Sequence, residues 1–346
     1  MQTPLKQTSR ELFKAAASGV ETPRPPFWIM RQAGRFLPEY RELKKKHSFV
    51  EITQTPELAV EATLQPIRRF DFDCAIVFSD ILVVSEALGF PYAFRDGGGI
   101  KLPQTVDSED AVKKAEDAAD SVVERLDYVR QAVRILRREL PDKALYGFCG
   151  APWTLACYMV EGESAQGFPK FANFAKLRPD LFKRLMAALS KASASYAKMQ
   201  AQEGIDAFQV FDSHAALTPE GGYFEMSGRW IKPVFDALEN RAVGVLFANG
   251  MSQRMGESVR TGAAFYSLDA SRKLSEVRAE FDVGLQGNLP PEILGNSTPE
   301  EVARRTREIV EDMRGKGRHI FNLAHGIRPD AKLENVEALC QTIREF

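Results

Sequence analysis

A chain of 346 residues, 44% of them hydrophobic, can bury either two ordinary cores or the single core of one large barrel. Its 46 lysines and arginines almost balance 47 aspartates and glutamates. The formal charge of -1 therefore gives no general attraction to nucleic acid or acidic membranes, and an anionic ligand has to be gripped by a local cluster.

The first apolar run, FWIM from Phe27, is followed by CAIVFSD from Cys74, ALYGFCG from Ala144 and AFQVFD from Ala207. VGVLFA from Val243, AFYSLD from Ala264, VGLQGN from Val283 and HIFNLA from His319 complete a set of eight. Between them lie helix-length segments. PELAVEATLQPIRRF from Pro56 opens on a proline and spaces its apolar residues helically, and Ser108 to Glu139 and Arg178 to Glu203 read the same way. SRKLSEVRAEF carries a shorter amphipathic helix between the sixth and seventh strands. Near-continuous apolar strands separated by helices predict parallel strands buried on both faces, and eight of them favour a single-domain (β/α)8 TIM-type barrel over residues 1–346. No Gly-x-Gly-x-x-Gly follows any strand, and no Gly-, Ser- or Pro-rich linker divides the chain.

The cysteines, Cys74, Cys149, Cys157 and Cys340, lie in or beside apolar runs without a C-x-x-C pair, which argues against a zinc ribbon or a disulfide framework. A reduced cytoplasmic setting is expected. With no apolar leader and no apolar stretch of spanning length, the protein is expected to be soluble and unprocessed.

In such barrels the reactive groups stand at the carboxyl ends of strands. That rule selects Arg31 and Arg35 after the first strand, Asp80 after the second, Gly150 and Tyr158 after the third, and Asp212, Ser213 and His214 after the fourth. Later strands offer Asn249, Asp269, Asn288 and His325. In MRQAGRFLPEYR two guanidinium groups flank a small turn, and their planar forks suit carboxylates or phosphates; the competing reading pairs them with Glu39 and Glu42. Asp80 ends an apolar run, where a carboxylate usually has a task, or else it caps the following ILVVSEAL helix. RELKKKH reads as a solvated helix face from which Lys44 could reach an acidic ligand. Trp153, Met159, Cys149 and Cys157 read as core, while Tyr158 is open between a ligand contact and an internal hydrogen bond. PYAFRDGGGI from Pro91 has the composition of a loop able to act as a lid, and its Phe94 fits a lid or an interface equally. No nucleophile elbow, H-E-x-x-H or His-x-Cys spacing is present.

Five blocks in order, MRQAGRFLPEYR, FSDILVV, GAPWTLACYMVEG, FDSHA, and GNL with FNLAHG, make the chain resemble the uroporphyrinogen decarboxylase family over almost its whole length. The resemblance implies a barrel, usually homodimeric, that needs neither metal nor organic cofactor and converts the four acetate side chains of uroporphyrinogen to methyl groups, giving coproporphyrinogen. It further implies that Arg31, Gln32, Ala33, Gly34 and Arg35 line the cleft, that Asp80 faces the pyrrole N–H groups, and that Tyr158, Ser213 and His325 contact the periphery. Asp80 and Arg31 are then the expected catalytic pair, Arg31 or a water it positions donating the proton. The chain departs from the pattern at Ala324, where glycine is expected, at Pro290, where an acidic residue is, and at Lys44, where some members have arginine. SLDASRKL lacks a tryptophan and a second aspartate, and DAKLENVEAL lacks a Thr-Pro. Two other readings stay open: a silent tetrapyrrole carrier, and a cobalamin-linked methyltransferase, disfavoured for want of a His-x-Cys zinc motif.

Overall fold

A computed structural model of the protein describes residues 7–94 and 99–346. Its seven principal strands are β1 (Cys74–Ile76), β2 (Ala144–Gly150), β3 (Ala207–Asp212), β4 (Val243–Ala248), β5 (Phe265–Ser267), β6 (Gly284–Leu289) and β7 (His319–Leu323). They belong to one sheet in chain order. The chain packs as two compact units: one comprises Met1–Phe78, Arg134–Tyr146 and Ala264–Phe346, the other Ser79–Val133 and Gly147–Ala263.

In the first unit β1 runs parallel to β2, with Cys74 opposite Ala144, and β5, β6 and β7 run parallel in turn. The predicted first strand is the element that differs most from expectation. Only Phe27 bridges β7, opposite Phe321, although the chain there fills a strand's place: Phe321 N–H donates to Pro26 and Asp73 N–H to the Phe27 carbonyl. Pro25 and Pro26 have no N–H to offer a ladder, the Asp73 carboxylate accepts from Phe27 N–H at 3.1 Å, and the Asn322 side chain accepts from Met30 N–H at 2.9 Å. Side chains thus satisfy a backbone that a regular strand would satisfy with its neighbours. Counting that segment, the strand succession is that of the (β/α)8 barrel class. Inside this unit Trp28 Nε1 and the Tyr146 hydroxyl both donate to Gln286 Oε1, at 3.1 and 3.3 Å, so the polar atom buried in β6 is paid for by two aromatic donors.

In the second unit β3 and β4 pair parallel from Ala207 opposite Val243 to Asp212 opposite Ala248. The helix Pro152–Glu161 follows β2 directly, its N-terminal proline losing only an N–H that the first turn leaves unpaired. The helix expected over 178–203 is found at Pro179–Gln202, and that over 56–70, in the first unit, at Pro56–Phe70. The stretch 108–139 is instead broken into Glu109–Ala118, a 3-10 turn at Ala119–Ser121, Val122–Arg125 and Asp127–Glu139. Ser121 Oγ donates back to the Ala118 carbonyl at 3.1 Å, the local competition that makes serine a poor interior helix residue. Beyond Pro91 the chain forms a short antiparallel ribbon, Ala93–Phe94 with Ile100–Lys101; the Arg95–Gly98 tip of the predicted lid lies outside the described residues.

β2, β6 and β7 are buried along their whole length, as parallel strands covered on both faces must be. All four cysteines are buried, and burial pushes the Cys149 and Cys157 thiols up, in keeping with their reading as core. No described helix is long and apolar enough to cross a membrane.

Candidate active site

The arginine turn of the first unit is braced from three sides. Gln32 is 1% exposed; its Oε1 accepts from Ile29 N–H at 3.3 Å and its Nε2 donates to the Cys74 carbonyl at 3.2 Å, so its amide ties the turn to β1. Ile327 N–H donates to the Met30 carbonyl at 2.8 Å, joining the turn to the residues after β7. From the following helix, Pro38–Lys46, Arg41 Nη1 donates to the carbonyls of Arg35 and Phe36 at 2.9 and 3.1 Å. Arg31 takes a left-handed φ of 65°, and its carbonyl lies 2.9 Å from where a Cβ on Gly34 would be, so the turn closes only over glycine.

On this scaffold Arg31 and Arg35 are exposed, and Ala33 and Gly34 half-exposed. The competing ion pairs are absent: Glu39 is taken by Arg69 and Glu42 by Lys45, and neither Arg31 nor Arg35 pairs with a carboxylate among the described residues. Lys44 lies with its ammonium 5.8 Å from the Phe49 ring. The Arg31 side chain crosses Gly326 so closely that a Cβ there would fall 2.5 Å from its Cδ. Half-buried His325 is held below the usual imidazole range, first by burial and then by the Arg31 charge.

In the second unit Asp80 is half-buried, and its Oδ1 accepts from Leu82 N–H at 2.8 Å, opening the turn into the helix Val83–Ala87. That bond closes an i+2 turn ahead of the helix, whose N-cap is Leu82 with no side-chain cap, so Asp80 does not cap the helix. Burial, and then the charges of Asp80 and Glu86, push the Tyr92 and Tyr128 phenols up, so this carboxylate has two neutral phenols in its electrostatic neighbourhood. Tyr158, half-buried, meets His214 edge-on with ring centroids 5.2 Å apart and Phe168 at 5.4 Å. Ser213, also half-buried, has its carbonyl accepting from Asn249 Nδ2 at 3.3 Å. Trp153 and Met159 are buried, as predicted, though Trp153 Nε1 also donates to the His214 carbonyl at 3.1 Å.

The family model described as uroporphyrinogen decarboxylase matches residues 8–346. The chain belongs to the uroporphyrinogen decarboxylase family. It is 40% identical to the uroporphyrinogen decarboxylase of Brucella anthropi over 331 residues, covering 92% of this chain and 94% of that one. To the uroporphyrinogen decarboxylase of Methylobacillus flagellatus it is 37% identical over 342 residues, 96% of each chain. Among solved structures a methyltransferase from Methanosarcina mazei superposes with a TM-score of 0.80, covering 99% of both chains at 20% identity, a likeness of fold.

Within this uroporphyrinogen decarboxylase family chain, several residues around the candidates escape sequence reasoning. Phe168 sits 4.5 Å from the His214 ring and holds a left-handed φ of 48° just before the helix Pro169–Leu177. Glu161, 4% exposed, fixes that geometry by accepting from Lys170 and Phe171 N–H at 2.9 and 3.3 Å. Thr154 and Ser227 donate to the two oxygens of Asp212. A strand-end aspartate is visible in sequence; small hydroxyls tens of residues away carry no pattern that would announce them. Burial pushes His214 down to about 4, so its imidazole is neutral near neutral pH. Asn288 Nδ2 is spent on the carbonyls of Asp269 and Arg272, at 2.9 and 2.8 Å, within the first unit. Among the described residues no group of three or more His, Cys, Asp or Glu is placed to hold a metal ion.

Proposed function

We propose that the protein is a uroporphyrinogen decarboxylase that removes the carboxyl groups of the four acetate side chains of uroporphyrinogen, leaving methyl groups. Beyond family membership, the observation that carries this reading is the braced turn on which Arg31 and Arg35 stand without carboxylate partners among the described residues. Holding two like charges on a fixed turn gains nothing for folding, whereas a substrate with eight carboxylates supplies the missing partners. Gly34 and Ala33 leave room for backbone approach, and Tyr158, Ser213 and His325 are assigned to the substrate's periphery. Gln32 contributes through its brace.

The chemistry requires an electron sink. A proton added to the pyrrole carbon adjacent to the one bearing the acetate turns the ring into a conjugated cation; the bond to the carboxylate then breaks, carbon dioxide leaves, and its electron pair neutralises the ring as an exocyclic methylene. A second proton on that methylene and loss of the first from the ring give the methyl group, a net exchange of carbon dioxide for one proton. Asp80 is assigned to stabilise the cation and accept pyrrole N–H bonds. At ~4 Å a unit charge is worth about 4 kcal/mol at an effective dielectric near 20, roughly a thousandfold in rate. Arg31, or a water it orients, is assigned the proton.

The uninterrupted family match over residues 8–346 supports treating the chain as one functional domain. On family resemblance we read it as a cytoplasmic homodimer, which sedimentation equilibrium would check. The test of function is stoichiometry: four equivalents of carbon dioxide per macrocycle are expected from anaerobic uroporphyrinogen, and tight binding with no gas release would establish a carrier instead.

A further inference from the structure

We infer that Asp212 is a positioning residue, its buried carboxylate fixing through Thr154 the backbone at Ser213 and His214 that follows β3. The kinetic consequence rests on the decarboxylase reading; the structural consequence rests on geometry alone. The Asp212 side chain is fully buried, and no cation pairs with it among the described residues. Its Oδ1 accepts from Thr154 Oγ1 at 2.7 Å and its Oδ2 from Ser227 Oγ at 2.6 Å. A carboxylate can only accept, so each hydroxyl must spend its proton on it. Thr154 has one such proton. Once that is given to Asp212, Oγ1 can only accept, and it does so from His214 N–H at 3.2 Å. The hydrogen-bond direction thus runs from the His214 amide through Thr154 to the charge, and it includes the peptide joining Ser213, assigned to substrate, to His214, which packs on Tyr158 and Phe168.

A protonated acid or an amide at position 212 would offer a hydrogen of its own and free Thr154 to turn away. Burial pushes the Asp212 carboxyl up to about 6, with Ser227, Thr154 and Tyr223 opposing it. The titratable groups facing it are Tyr223 and, from the helix Pro152–Glu161, Cys157, whose thiol burial holds neutral; Glu161 acts on Cys157 in turn, and the His214 imidazole is neutral. The ordering device is therefore intact above about pH 6 and relaxes below it.

The test compares Asp212→Asn, Thr154→Val and Thr154→Ser in the full chain. Hydrogen exchange, read on the peptide spanning 211–217 at pH 7.5, is expected to quicken about tenfold in the first two and to stay at the wild-type rate in the third, tenfold being roughly 1.4 kcal/mol for one hydrogen bond. Turnover should fall about tenfold in the same two variants, with KM within about twofold, and the acid limb near pH 6 should vanish in Asp212→Asn. Unchanged exchange in Asp212→Asn, or Thr154→Val behaving as Thr154→Ser does, would overturn the inference. If Asp212→Asn does not fold, the near-isosteric Thr154→Val decides alone. If the wild type releases no carbon dioxide, the decarboxylase reading fails, while exchange still decides the role of Asp212.

Discussion

The arginine turn and the end of β3 solve opposite problems. At the turn, contacts from Gln32, Ile327 and Arg41 brace the scaffold while two guanidinium groups have no carboxylate partner among the described residues. At the end of β3 a carboxylate is taken out of water with no cation among the described residues and satisfied by hydroxyls. The contrast teaches that exposed, unpaired charge on a braced element marks where a ligand supplies the partner. Buried charge with internal donors marks where the protein fixes its own shape.

The comparison is strained hardest at Asp80, which has features of both kinds: a half-buried carboxylate with one oxygen engaged by Leu82 N–H. Asp80→Asn keeps that acceptor and removes the charge, so turnover is expected to fall roughly a thousandfold with KM little changed in steady-state assays. Equal turnover would place Asp80 with the self-structuring groups. Arg31→Gln and Arg35→Gln should each weaken binding of the polycarboxylate by about ten- to a hundredfold, one charge-assisted bond being worth roughly 1.5–3 kcal/mol, as read by calorimetry with the oxidised macrocycle. Gly326→Ala is a finer probe, because the new Cβ would meet Arg31 Cδ at 2.5 Å and push it aside. A loss of about tenfold in kcat/KM is expected, with the melting temperature nearly unchanged.

The smallest effect concerns pH and stability. Burial pushes His319 and His214 down to about 4. Between about 4 and 6.5 the unfolded chain therefore binds protons that the folded one refuses. Their contribution is complete above the unfolded value and is lost as pH falls through that window. Asp212, pushed up to about 6, acts in the opposite sense below 6 and offsets part of the loss. Thermal melts should show stability declining from pH 7 towards pH 5, with a shallower decline in His319→Gln.

Legibility in the sequence follows how local each cause is. The helix at Pro56–Phe70 carries its own proline start and apolar spacing, and the arginines stand within five residues of each other. The expected strand at Phe27 does not form as a regular ladder: backbone bonds to Phe321 and Asp73 alternate with side-chain acceptors at Asp73 and Asn322, far along the chain. The first break within 108–139 coincides with one serine bonding backwards, a local competition that periodicity does not register. The support of Asp212 by Thr154, 58 residues away, and by Ser227 involves residue types common anywhere, and only folding reveals their convergence.

The central claim is met most directly by incubating the purified protein anaerobically with chemically reduced uroporphyrin and separating the oxidised products by carboxylate number. Stepwise passage from eight carboxylates to four is the result this account predicts. Eight-carboxylate material returned unchanged by well-folded protein would contradict it.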